Sequence, residues 1–72
     1  MMDKFGMTPP QLKILRYIKQ FYKKNEYMPT VREITDAMGL TAPSATVEKL
    51  NSLEKKGYIE RKKGEARAIR LL

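Results

Sequence analysis

Between Pro43 and Lys56, the side chains Ser44, Glu48 and Asn51 have the types and spacing that could do chemistry. At about 100° per residue they share one side of a helix, opposite an inward set of Ala42, Thr46, Leu50 and Leu53. A hydroxyl, a carboxylate and an amide on one face can pair with the edges of bases, and a major groove about 12 Å wide admits such a helix. The helix starts with small residues, Ala42, Ser44 and Ala45, which lets its tip come close to a surface. A solvated helix face has the same periodicity, so the pattern alone leaves both readings open.

Catalysis finds no such constellation. The chain has no histidine and no cysteine, which removes the usual general base, the thiolate nucleophile and the commonest metal ligands. Zinc is excluded, no cofactor is expected, and carboxylates scattered among lysines offer no nucleophile paired with a base. The chain is therefore not expected to be an enzyme. Its 15 Lys+Arg against 8 Asp+Glu give a formal net charge of +7, which favours a polyanionic partner. Lysines kept for solubility raise the charge in the same way. The 72 residues suffice for one domain with a small core; residues 1–72 read as a single unit, with 1–7 as a frayed lead-in. No apolar run is long enough to cross a bilayer, and MMDKFGM lacks the apolar centre of a signal peptide. The expected location is cytoplasmic, with no membrane partner.

The elements that position the polar face are legible as caps and periods. Thr8-Pro9-Pro10-Gln11 opens a first helix, with Thr8 as N-cap, Pro9 at the first position and Gln11 closing a capping box. Leu12, Leu15, Ile18 and Tyr22 line its core side with Ile14 and Phe21 on the flank, while Lys13, Arg16, Lys19, Gln20, Lys23 and Lys24 face away. Asn25 to Pro29 reads as a loop: Met28 precedes a proline and is pushed to extended geometry, and Tyr27 and Met28 form a lid over the core. Thr30 and Glu33 make a second capping box, so a helix begins at Val31 with Ile34, Ala37 and Met38 inward. Gly39 ends it in the left-handed conformation, Leu40 packs back, and Thr41-Ala42-Pro43 restarts a helix running from about Pro43 to Lys56. Two helices joined by so short a connection cross steeply, as in a helix-turn-helix. Arg32 in the first turn opposes the helix dipole, which either a DNA phosphate or a salt bridge would offset.

After Gly57 the period falls to two. Tyr58-Ile59-Glu60-Arg61 and Arg67-Ala68-Ile69-Arg70-Leu71 alternate on either side of a turn at Lys62-Lys63-Gly64-Glu65, which predicts a β-hairpin. A lone hairpin is marginal in water, so Ile59, Ile69 and Leu71 are expected to pack on the helices. Lys62 and Lys63 at the tip and Arg61, Arg67 and Arg70 along the edges make it basic, although lysines on an edge also block aggregation. The fold class that results is mainly α (α+β): a three-helix winged helix-turn-helix with a C-terminal two-stranded β-hairpin wing. In that arrangement the helix from Pro43 enters the major groove of double-stranded DNA, while Arg32, Lys49, Lys62, Lys63 and Arg67 contact phosphates. Phosphate contacts position the protein and base contacts specify the sequence. Winged helices also hold partner helices, so the alternative is a protein–protein interaction module using the Ser44, Glu48 and Asn51 face.

Several stretches together resemble one family across almost the whole chain. They are Thr8 to Ile18 (TPPQLKILRYI), Pro29-Thr30-Val31-Arg32-Glu33-Ile34, Met38-Gly39-Leu40, Leu50, Leu53, Lys56-Gly57-Tyr58-Ile59 and the ending Arg67-Ala68-Ile69-Arg70-Leu71. With these residues the chain resembles the N-terminal DNA-binding domain of the LexA repressors. The resemblance implies a repressor of the SOS response that binds an inverted-repeat operator, with base-reading positions falling on Ala42, Ser44, Ala45, Val47 and Glu48. Val47 and Lys49 depart from the family's better-known readers. Val47 offers apolar contact only, for instance to a thymine methyl, and Glu48 accepts from cytosine N4 or pairs with a lysine. Full-length members carry a C-terminal self-cleaving peptidase domain with a serine-lysine dyad, which also supplies dimerisation. Nothing resembling that domain, its linker or its cleavage site precedes Leu72. The expectation is therefore an excised domain or a free-standing regulator of bacterial, phage or plasmid origin, either a homodimer on DNA or lacking its dimerisation domain.

Overall fold

A computed structural model of the chain describes residues 7–62 and 67–72. The lead-in from Met1 to Gly6 and the turn at Lys63, Gly64 and Glu65 lie outside the described residues. Among the described residues, helices α1 (Pro9–Asn25), α2 (Val31–Ala37) and α3 (Pro43–Lys55) precede strands β1 (Ile59–Arg61) and β2 (Ile69–Leu71). This is the expected winged helix-turn-helix order.

Capping chemistry sets where α1 and α2 begin. The Gln11 N–H donates to the Thr8 hydroxyl at 3.4 Å and the Thr8 N–H to Gln11 Oε1 at 3.2 Å, with Pro9 at the first helical position. On α2 the Glu33 N–H donates to the Thr30 hydroxyl at 3.0 Å and the Thr30 N–H to Glu33 Oε1 at 2.8 Å. The ends of α2 and α3 are alike. Gly39 (φ 71°) and Gly57 (φ 86°) adopt the left-handed conformation. Leu40 N–H then reaches the Thr35 carbonyl and Tyr58 N–H the Leu53 carbonyl, both at 3.0 Å, completing Schellman motifs. α1 ends without glycine: Glu26 takes the left-handed position at φ 65°. Asn25, expected in the loop, belongs to the last turn of α1, where its side-chain amide donates to the Phe21 carbonyl at 3.0 Å.

Every element contributes to one buried cluster: Ile14, Leu15 and Ile18 from α1, Ile34 from α2, Leu50 and Leu53 from α3, Ile59 from β1 and Ile69 from β2. Met28 and Leu71 pack partly against it, and so does Met7, which was expected to fray. The apolar stripe of α1 closes earlier than its spacing suggests. Tyr22 is 47% exposed, because beyond Ile18 the helix runs past the cluster and has no fully buried residue. Of the expected lid, Tyr27 is not buried but stands edge-on to Phe21, ring centroids 5.6 Å apart. On α2 the buried residues are Ile34 and Thr35, while Ala37, expected inward, is exposed. The helix is rotated toward α3 by a polar contact: the Thr35 and Thr46 hydroxyl oxygens lie 2.6 Å apart in the core. Thr35 donates its one proton to the Val31 carbonyl at 2.8 Å, so the proton between the two threonines comes from Thr46.

The hairpin is antiparallel, with Ile59 opposite Leu71, Glu60 opposite Arg70 and Arg61 opposite Ile69. Glu60 and Arg70 face outward and form a loose ion pair at 3.7 Å.

Two stability outcomes follow from these contacts. Thr35→Val should lower stability by about 1–3 kcal/mol, because the fully buried Thr46 hydroxyl loses its acceptor, and the Thr35→Val/Thr46→Val double variant should recover part of that loss. Denaturant unfolding of both measures the coupling; strictly additive losses would disprove it. Gly39→Ala should be destabilising by about 1–2 kcal/mol from its positive φ alone, since an added Cβ meets nothing within 4 Å.

Candidate nucleic-acid interface

The outward face of α3 is polar. Ser44, Glu48 and Asn51 are exposed, with Ala45 and Val47 half-buried on its flanks and Ala42 half-buried at the N-cap. No hydrogen bond or ion pair joins the Ser44 or Glu48 side chain to another described residue, so the pairing of Glu48 with a lysine is not made among them. Unlike α1 and α2, α3 begins without a side-chain cap, at Ala42 followed by Pro43. Pro43 brings no N–H to the first turn, and the Ala45 N–H donates to the Ala42 carbonyl at 3.2 Å, so only the Ser44 amide has no carbonyl partner given by the turn itself.

The expected phosphate-binding cations divide into separate settings. Arg32 is exposed in the first turn of α2 and makes no salt bridge with a described residue. Lys49 is half-buried and turned toward α1, where it lines a shallow groove with Pro9, Lys13, Ile14, Met38 and Leu40. Lys62 is exposed just beyond β1, its N–H donating to the Ala68 carbonyl at 3.1 Å. Lys63 lies outside the described residues.

The guanidinium of Arg67, expected to contact phosphate, is engaged within the protein. Nη1 donates to Glu33 Oε1 and to the Met28 carbonyl, both at 2.9 Å, and Nη2 to Glu33 Oε2 at 3.3 Å. The same group stacks 4.5 Å above the Tyr27 ring. Glu33 thus caps α2 and anchors the second leg of the wing at once. The hydrogen bonds from Arg67, and then from the Thr30 N–H, hold the Glu33 carboxyl below its ordinary value.

Arg61 was legible only as an edge cation. Its backbone N–H donates to Glu54 Oε2 at 3.2 Å and its Nη1 to Asn51 Oδ1 at 2.9 Å, which ties the first leg of the wing to α3. The available signal is the two-residue period, which puts Arg61 on the same side of β1 as buried Ile59.

The Glu33–Arg67 clamp has a pH signature. A carboxyl whose folded pKa lies below its unfolded value adds stability above the unfolded pKa and loses it as pH falls through the folded one. Glu33 should therefore hold the wing at neutral pH and release it in acid. A carbon-detected NMR titration should place the Glu33 midpoint below that of an ordinary glutamate, and Arg67→Ala should move it upward. An unmoved midpoint would mean that Arg67 is not its partner in solution.

Comparison with known proteins agrees with this geometry. The sequence model described as LexA DNA binding domain matches residues 4–68. The LexA repressor of Thermotoga maritima is 48% identical over 65 residues, covering 90% of this chain and 32% of the relative. That of Frankia alni is 41% identical over 70 residues, covering 97% and 28%, and that of Carboxydothermus hydrogenoformans 43% over 66 residues, covering 92% and 32%. The chain thus spans about a third of the length of the curated relatives it matches. Among the described residues no helix is long and apolar enough to cross a membrane, and no cluster of potential metal ligands occurs. With its helix-turn-helix, its wing and its match over residues 4–68, the chain belongs to the LexA DNA-binding domain family.

Proposed function

We propose that the chain is a sequence-specific, double-stranded DNA-binding transcriptional repressor module that lays α3 in the major groove of an operator half-site. The observation that carries this reading is the exposed polar face of α3, on which the Ser44 and Glu48 side chains have no partner among the described residues, continuous with an N-terminus that lacks a side-chain cap. Ser44 and Glu48 offer a hydroxyl and a carboxylate to base edges, Val47 an apolar contact, and Ala42 and Ala45 the small surface that permits close approach. Arg32, Lys49, Lys62 and Lys63 supply phosphate contacts, and Arg67 positions the wing through Glu33. The module acts by binding alone, within the cytoplasm. A single module of this kind buries about 600–1,000 Å² on DNA. Two copies on an inverted repeat, with half-sites about one helical turn or a multiple of it apart, would raise the affinity.

Selection from a random duplex pool at moderate salt tests this directly. An inverted repeat or a single half-site should be enriched; duplex retained without enrichment, or none retained, would refute sequence-specific reading. Ser44→Ala and Glu48→Gln should each alter the preferred bases. Lys62→Ala should weaken all duplexes alike and reduce the salt dependence of binding by about one phosphate's worth.

A further inference from the structure

β1 carries an arginine where its alternation calls for an apolar residue. Ile59 is buried, Glu60 exposed and Arg61 half-buried, and Arg61 stands across the ladder from buried Ile69. A break in the local pattern that the surroundings hold firmly marks a place to look for function. Here the hold is double: the Arg61 backbone N–H is bound by Glu54 and its guanidinium by Asn51, both on α3.

That second contact shapes what Asn51 offers. With Oδ1 accepting from Arg61, the amide nitrogen of Asn51 turns the other way and presents its donors. The Arg61 guanidinium has five N–H groups, of which the contact to Asn51 uses one. Glu54, the neighbouring carboxylate, is bound to the backbone N–H and forms no ion pair with that guanidinium. The pair therefore presents donors and a positive charge, which suit an anionic oxygen acceptor.

Asn51 shares the outward face with Ser44 but stands about 10 Å further along the helix axis, at 1.5 Å per residue. When Ser44 reaches base edges in the groove, Asn51 and Arg61 are set back toward the groove's rim, where the sugar–phosphate backbone runs. We infer that Arg61 and Asn51 form a second DNA contact, a donor fork holding one backbone phosphate between the recognition helix and the wing. This contact rests on the reading of α3 as the groove-entering helix.

Binding of the selected duplex by fluorescence anisotropy across a salt series tests it, together with thermal unfolding of each variant. Arg61→Ala should lower the slope of log K against log salt by about 0.9, the share of one phosphate, and weaken every duplex by the same factor. Arg61→Gln keeps a donor for Asn51 without the charge, so its slope should fall equally even if the alanine variant folds poorly. Asn51→Ala should weaken binding with the slope unchanged. A full slope in both Arg61 variants beside a normal wild type would overturn this contact and leave the DNA reading intact. A changed base preference at one position would overturn it in favour of base readout. A wild-type protein that binds no duplex would overturn the DNA reading and this contact with it.

Discussion

The buried pair of hydroxyls on Thr35 and Thr46 is the contact on which the arrangement of α2 and α3 depends. Two threonines let the helices approach more closely than leucines would. A hydrogen bond of 2.6 Å admits little rotation about either axis. Both residues are almost wholly buried, so a sliding of the helices that separated them would leave polar groups unsatisfied in the core. Once Thr46 is fixed inward, the period of the helix does the rest. Glu48 lies about 200° round from it and Ser44 about 160° round, which turns both to solvent on the far side. A polar bond inside the protein thus aims the polar face outside it.

The wing is held by a different kind of contact. Its two legs are braced by arginines to different helices, Arg61 to α3 through Asn51 and Arg67 to the start of α2 through Glu33. The Arg67 and Glu33 side chains are 41% and 38% exposed, so solvent screens their ion pair and its contribution to stability is small. Their consequence is geometric. The buried Ile59 and Ile69 attach the hairpin to the core without fixing its direction, because apolar contacts are non-directional, whereas a bidentate guanidinium–carboxylate pair fixes an angle. This use engages the Arg67 guanidinium within the protein.

What the sequence disclosed and what it withheld divide along the range of the interactions. Capping boxes at Thr8 and Thr30, the glycine endings at Gly39 and Gly57 and the two-residue rhythm after Gly57 are local, and each was readable from a few neighbouring residues. The outward face of α3 was readable for the same reason. Thr35 was missed because a threonine in a short helix gives no sign of burial until its partner is known, eleven residues away. Ala37 was misplaced inward by the same ignorance of where α3 would lie. Tyr22 fitted the stripe of α1, but periodicity does not say where the rest of the core stops. The Arg67–Glu33 pair spans a sequence separation of 34, and nothing in the local pattern distinguishes an arginine that will brace from one that will bind.

The treatment of helix starts makes the same distinction in energetic terms. α1 and α2 each begin with a full capping box, and α3 begins with Ala42-Pro43 and no side-chain cap. A serine, threonine or aspartate at an N-cap contributes about 0.5–2 kcal/mol over alanine, a large share in a domain with so small a core. A capping side chain would also occupy first-turn amides and stand between the helix tip and whatever it approaches. Leaving the cap out weakens α3 in isolation but keeps its tip narrow. A missing cap stabilises nothing inside the protein, and it accords with the proposed reading in which the tip of α3 approaches an anionic surface.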